Sequence, residues 1–129
     1  MMTNKKRAAK ESSLDLGTEK DLEELRISTE KTYEALRDIN EDDLPPERKQ
    51  EYWRNRNLAR TAWERAENAS FANLVEEQKR RLPTVAASNA KLARDVQATA
   101  NALAMLDLVS TSLSVLEEVI TILGRGIPS

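Results

Sequence analysis

Glycine and proline are almost absent from the greater part of this 129-residue chain. Between Pro46 and Gly124 the only residue of either type is Pro83. Uninterrupted stretches of this length favour long α-helices, because glycine and proline are the residues that most strongly end a helix. Apolar and threonine residues recur at three- and four-residue intervals between Leu22 and Ile39, which is typical of a helix packed lengthwise on another. The sequence therefore predicts an all-α fold.

The predicted architecture is an elongated, coiled-coil-like hairpin in which three long helices form an antiparallel bundle. Thr18 is a suitable N-cap for the first helix. Pro83 disfavours helical backbone at the residue before it, so the chain is expected to break or reverse there. Small residues such as Ala62 and Ala93 would then let the second and third helices approach closely. The predicted helices cover about 18–40, 46–81 and 84–123.

A fourth helix is the alternative for the C-terminal half. Ser114 and Glu117 have the spacing of a capping box, which would break the last helix near 110–114. At the other end, residues 1–17 are polar and basic and are predicted to be a flexible arm. The remaining residues, 18–129, are expected to form a single helical-bundle domain.

Large apolar residues concentrate in the last predicted helix, where they form two stripes. The first helix, with Trp53 and Trp63, can cover one stripe, but the second is more than a monomer of this size readily covers. We therefore expect a contact surface for another protein or for a second copy, most simply in a dimer. Internal coverage by a segment folded back near 110–114 is the alternative. The residues predicted to form this surface are Met105, Leu108, Val115, Val119 and Ile122.

A second candidate surface combines basic and aromatic residues on one face of the second helix. Lys49, Trp53, Arg56 and Arg60 lie at positions i, i+4, i+7 and i+11. Such a face could bind an anionic partner, including the phosphates and bases of a nucleic acid. The structural interpretation is that these cations balance the negative charge of residues 11–47, a segment with 13 acidic and 4 basic residues. The sequence favours this structural role, since the whole chain has a net charge of −2.

Histidine and cysteine are both absent, which excludes zinc sites with these ligands, haem with an axial histidine and Ser-His or Cys-His nucleophile pairs. The three glycines do not form a phosphate-binding loop. Glu64 and Glu67 place two carboxylates on one helix face, so a carboxylate-metal enzyme is a further alternative. The favoured prediction is a protein without catalytic activity, cofactor or metal.

The expected function is therefore protein binding through an apolar helical face. Roles compatible with this size and composition are a small adaptor, a secretion chaperone or an immunity-type protein that neutralises a toxin. The basic start of the chain is not followed by an apolar segment, and charged residues interrupt the most apolar window, 98–123. We therefore expect neither a signal peptide nor a membrane span, and a cytoplasmic location.

Overall fold

The computed structural model describes residues 16–124. Within this range the chain contains five α-helices and no β-strand, which confirms the predicted all-α class. Short 3₁₀ turns over Glu41–Asp43, Pro46–Arg48 and Phe71–Asn73 connect some of them. Of the predicted N-terminal arm, residues 1–15 lie outside the described range. The helices are α1 (Glu19–Arg37), α2 (Lys49–Asn68), α3 (Glu76–Gln97), α4 (Ala102–Thr111) and α5 (Leu113–Gly124).

The predicted N-cap of the first helix is confirmed. The carboxylate of Asp21 accepts a hydrogen bond from the Thr18 N–H at 2.8 Å, and the Thr18 hydroxyl accepts one from the Asp21 N–H at 3.4 Å. This reciprocal capping box satisfies two backbone donors that a helix start leaves without an internal partner. The start of α1 is therefore fixed locally by its own sequence.

The prediction of one continuous helix over 46–81 is wrong, because α2 ends at Asn68 and α3 begins only at Glu76. No glycine or proline marks this break. Instead, Arg26 on α1 donates from Nε to the carbonyl of Ala66 at 2.9 Å and from Nη2 to that of Ala69 at 2.7 Å. A cation at the carbonyl end of a helix satisfies free acceptors and the negative end of the dipole. The end of α2 is thus a tertiary feature.

The predicted break at Pro83 is also wrong, because Pro83 lies inside α3. A proline in a helix leaves the carbonyl four residues earlier without its usual N–H donor. Here that carbonyl belongs to Lys79, and it accepts a hydrogen bond at 2.5 Å from the N–H of Gly17. A Cβ at Gly17 would lie 2.7 Å from the Cβ of Leu82, so only glycine allows this approach. Gly17, which precedes the N-cap of α1, therefore replaces the missing helical donor.

The predicted third helix, 84–123, is divided twice. The first break follows Gln97, and Asn101 then caps α4 by accepting a hydrogen bond from the Ala104 N–H at 2.9 Å. The second break is at Ser112, within the range 110–114 that was predicted as the four-helix alternative. Asn101 is a favoured N-cap residue, so the signal for the first break was present in the sequence.

The five helices pack as a four-helix bundle in which the fourth helix is divided. Helices α4 and α5 follow one another along the same side of α2 and together form that fourth helix. Helix α1 packs against α2 and α3, and α5 packs against the same two helices. Helices α2 and α3 therefore lie diagonally opposite each other, and the connection over 69–75 crosses the bundle. The sequence predicted that alanines such as Ala62 and Ala93 would bring their two helices into close contact. These residues lie on α2 and α3, and these two helices do not pack directly against each other.

Cross-helix hydrogen bonds show the helix directions. Tyr52, near the start of α2, donates to the carbonyl of Leu36 near the end of α1 at 2.6 Å, so these helices are antiparallel. Gln78, near the start of α3, donates from Nε2 to the carbonyl of Ile122 at 2.6 Å. Asn89, half of the helix further on, donates from Nδ2 to the carbonyl of Val115 at 3.4 Å. Helices α3 and α5 are therefore antiparallel as well.

Inward-facing residues from all five helices form the main core. Helix α4 contributes one buried residue, Val109, near its C-terminal end. Helix α2 supplies alanines to this core, whereas the other helices supply mostly leucine, valine and isoleucine. A smaller cluster of Leu44, Tyr52 and Leu106 closes one end. The buried members of the main core are Leu22, Leu25, Leu36, Ala59, Ala62, Ala66, Leu74, Leu82, Val85, Ala86, Leu92, Val96, Val109, Leu116, Val119, Ile122 and Leu123.

Candidate functional site

The basic and aromatic face predicted on α2 is present, and Trp53 lies at its centre. The Trp53 side chain is 42% exposed, which is unusual for an indole of this size. The guanidinium carbon of Arg56 lies over the ring, 4.8 Å from its centroid. This distance is within the range of a cation–π interaction. The structure therefore brings together two of the four residues that the sequence placed on this face.

Trp53 is held in place by its neighbour Tyr52, which is fully buried. The two ring centroids are 5.6 Å apart and the planes meet at 64°, an edge-to-face arrangement. The Tyr52 hydroxyl is tied to the Leu36 carbonyl on α1, and burial raises the pKa of this phenol. The exposed indole thus stands on a rigid part of the bundle.

The other two predicted residues flank this pair. Arg60 is exposed and pairs with Glu64, with 3.5 Å between Nε and Oε2, whereas Lys49 is half-buried at the first residue of α2. Arg54 is exposed and follows Trp53 directly. Residues 49–60, the first three turns of α2, carry four basic side chains and one acidic side chain. The surface around Trp53 is therefore predominantly cationic.

Beside this face lies a polar network that the sequence did not predict. Arg48 binds the carboxylate of Glu51 at 2.6 and 2.8 Å and reaches Asp107 on α4 at 2.7 Å. Ser110 donates to Glu51 and accepts from the amide of Asn55, whose Nδ2 lies 2.8 Å away. Hydrogen bonds from Arg48 and Ser110 lower the pKa of Glu51 from 4.5 to about 2. The network fixes α2 against α4 and leaves its ionic groups paired.

The apolar surface predicted on the last helix is placed differently. Val119 and Ile122 are 0% and 2% exposed and belong to the core. Met105, Leu108 and Val115 are half-buried and pack against that core. Helices α2 and α3 cover α5 from two sides, which accounts for the second stripe by contacts within the chain. This surface is therefore not an open docking face at Val119 and Ile122.

The predicted pair of carboxylates, Glu64 and Glu67, is exposed on α2. Glu64 already pairs with Arg60. Within residues 16–124 there is no group of three or more acidic side chains arranged to hold a metal ion. The described part of the chain therefore offers these two carboxylates no further acidic ligand.

Large apolar side chains that are more than about one third exposed are few among the described residues. They are Ile27, Trp53 and Val75, and each lies on a different part of the bundle. Within the same range no helix has the length and hydropathy needed to cross a membrane. No protein-family model, curated protein sequence or solved structure matches this chain.

Proposed function

We propose that this chain is a non-catalytic protein-binding module that engages an acidic partner through the face of α2 centred on Trp53. A small cytoplasmic adaptor, a secretion chaperone and an immunity-type protein are all roles that such a module can serve. The observation that carries the proposal is the indole of Trp53, which is 42% exposed and lies beneath the guanidinium of Arg56.

The energetic reason is that an exposed indole on a rigid helix is an efficient anchor for a partner. Tryptophan and arginine dominate the residues whose removal costs a protein interface most. Trp53 is already positioned by Tyr52 and Arg56. Little conformational entropy would therefore be lost when a partner covers it.

The charge of the partner follows from the cations around the indole. Lys49, Arg54, Arg56 and Arg60 lie along one half of α2. Opposite charge at the rim of an interface speeds association and selects among partners. The best fit is an acidic protein surface with an apolar side chain or cavity that receives Trp53.

A nucleic acid would use the same cations, but it fits this geometry less well. Base stacking requires access to the flat face of an aromatic ring. One face of Trp53 is occupied by the guanidinium of Arg56. On the face that Arg56 covers, a base would have to displace this group, so at most the opposite face of the ring is open to stacking. We therefore keep nucleic-acid binding as the second candidate.

The experiment compares three forms of the full chain: the natural sequence, Trp53→Ala and the matched control Val75→Ala. Val75 is 59% exposed and lies at the start of α3, away from the Trp53 face. Each form is used to isolate partners from the source organism, and a captured protein is then purified and titrated. We expect Trp53→Ala to weaken the purified complex by roughly thirtyfold, the effect of losing about 2 kcal/mol at an interface anchor.

Three results would contradict the proposal. One is a partner that binds Trp53→Ala and the natural chain equally. Another is a loss of binding that Val75→Ala reproduces. The third is Trp53-dependent binding of a single-stranded oligonucleotide with an affinity that falls steeply with salt, which would establish the second candidate instead.

A further inference from the structure

The outward face of α1 has no counterpart within the described part of the bundle. At its centre is Ile27, which is 46% exposed. Beside it, α1 and α3 enclose a groove of about 430 Å³. The small residues Ser28, Ala90 and Ala93 line this groove, with charged residues around them. A helix could therefore approach α1 and α3 closely along this face.

The charges along this face have a symmetrical arrangement about Ile27. Lys20 precedes Ile27 by seven residues and Glu34 follows it by seven. Glu23 precedes it by four residues and Lys31 follows it by four. At 3.6 residues per turn, all five side chains lie on the same side of the helix. Lys20 and Glu23 on one side of Ile27 thus have residues of opposite charge, Glu34 and Lys31, at the equivalent positions on the other side.

This pattern is complementary to itself when one copy of the helix is turned end to end. A two-fold axis through Ile27 places each residue opposite the one at the equal distance on the other side. Glu23 then faces Lys31 of the second copy, and Lys20 faces Glu34 of the second copy. Because the axis repeats every contact, four attractive charge pairs surround two isoleucines. Interfaces of two-fold dimers are built from such self-complementary patches.

We propose that a second copy of this chain packs antiparallel across this face, with the two-fold axis close to Ile27. The occupant is chosen by the charge pattern, since an unrelated helix would have no reason to match it. This surface is separate from the Trp53 face on α2. Its dimerisation goes beyond the protein binding proposed above and does not depend on it.

Three features limit the strength of this dimer. Glu24 would face Glu30 of the second copy, although both lie about 60° from the centre of the face, towards its edges. Glu23 already has an intrachain partner, Arg26, with Nη1 and Oε2 3.1 Å apart. The apolar area is also small, so a dissociation constant in the micromolar range is expected rather than an obligate dimer.

The test uses charge reversal and sedimentation equilibrium of the full chain. The variants Glu23→Lys and Lys31→Glu each convert two attractive contacts of the dimer into two repulsive ones. We expect each variant alone to dimerise about tenfold more weakly than the natural chain. In an equimolar mixture of the two, every Lys at position 23 can face a Glu at position 31. The mixture should therefore recover dimers, as should the double variant that carries both changes.

The mixture also provides the control for folding, because a variant that fails to fold cannot be rescued by its counterpart. A natural chain that stays monomeric at several hundred micromolar would overturn the proposal. So would single variants that dimerise as well as the natural chain, or a mixture that sediments as the sum of its two components. Dimers that respond to Trp53→Ala instead would place self-association on the other face and would equally refute this one.

Discussion

Replacement of Gly17 by alanine probes the contact that allows a proline inside α3. An added Cβ would lie 2.7 Å from the Cβ of Leu82 and 2.9 Å from the carbonyl oxygen of Lys79. Both distances are shorter than van der Waals contact, and neither neighbour is the flexible end of a long side chain. The segment that carries Gly17 therefore has to move away from α3, and its N–H then loses the Lys79 carbonyl.

The magnitude follows from three contributions. Steric strain from an extra carbon in a packed site costs about 1–3 kcal/mol. The lost hydrogen bond costs about 1 kcal/mol more. Alanine restricts the unfolded chain more than glycine does, which offsets about 0.4–1 kcal/mol, since the φ of Gly17 is not in the glycine-only region. We expect Gly17→Ala to lower the free energy of unfolding by about 2 kcal/mol in all.

The assay is urea denaturation of the full chain, carried out as a double-mutant cycle with Pro83→Ala. Alanine at position 83 restores the N–H that can reach the Lys79 carbonyl from within the helix. The hydrogen-bond part of the Gly17→Ala effect should then vanish, which leaves a coupling of about 1 kcal/mol between the two sites. Gly124→Ala is the matched control.

The control has the opposite expected sign. Gly124 ends α5, and an added Cβ would meet only the flexible end of Arg65, at 3.2 Å. Alanine there should leave stability unchanged or raise it by up to about 0.5–1 kcal/mol. The reasoning would be refuted if Gly17→Ala were neutral or stabilising. The reasoning would also be refuted if Gly17→Ala changed the free energy of unfolding by the same amount in the natural chain and in the Pro83→Ala variant.

Three further substitutions test other contacts, each by chemical denaturation. Glu51 has a pKa of about 2 when folded and 4.5 otherwise, so the stability it contributes is present above pH 4.5 and is lost as the pH falls towards 2; Glu51→Gln should flatten this decline, and the exposed-site change Glu67→Gln should not. Tyr52→Phe removes the donor to the Leu36 carbonyl and should lower stability by about 1 kcal/mol with unchanged secondary structure by circular dichroism; no change would show that this bond is dispensable. Arg26→Met leaves the last carbonyls of α2 without their partner and should cost about 1–2 kcal/mol; a stable variant would show that α2 ends for another reason.

The sequence was sufficient for the fold class but not for the helix ends. The scarcity of glycine and proline, together with apolar residues at intervals of three and four, correctly predicted helices. The N-cap at Thr18 was also predictable, because the capping atoms all come from neighbouring residues. By contrast, the end of α2 depends on Arg26, forty residues away. The helix through Pro83 depends on Gly17, which lies far away in sequence as well.

The candidate surfaces show the same difference between local and tertiary determinants. The face with Trp53 and Arg56 was predictable, because residues three apart on one helix are neighbours in any fold that keeps the helix intact. On the predicted apolar surface, Val119 and Ile122 are buried, because their exposure depends on which helices lie beside them. Val119 and Ile122 look unpartnered only if the second and third helices pack directly against each other. The diagonal placement of α2 and α3 could not be deduced from periodicity.

The buried amides of α3 have a consequence for how freely the bundle can slide. Gln78 and Asn89 reach backbone carbonyls of α5 at two heights, near its end and near its start. Leucines and valines would tolerate a shift of one helical turn, about 5.4 Å, because one apolar contact can replace another. Gln78 would not, since its buried amide would lose the Ile122 carbonyl, at about 1–3 kcal/mol. Asn89 would lose only its longer bond to Val115, because its amide also donates to the Val85 carbonyl of α3 at 2.8 Å. Gln78 is therefore the side chain that most strongly favours a single axial position of α5 against α3.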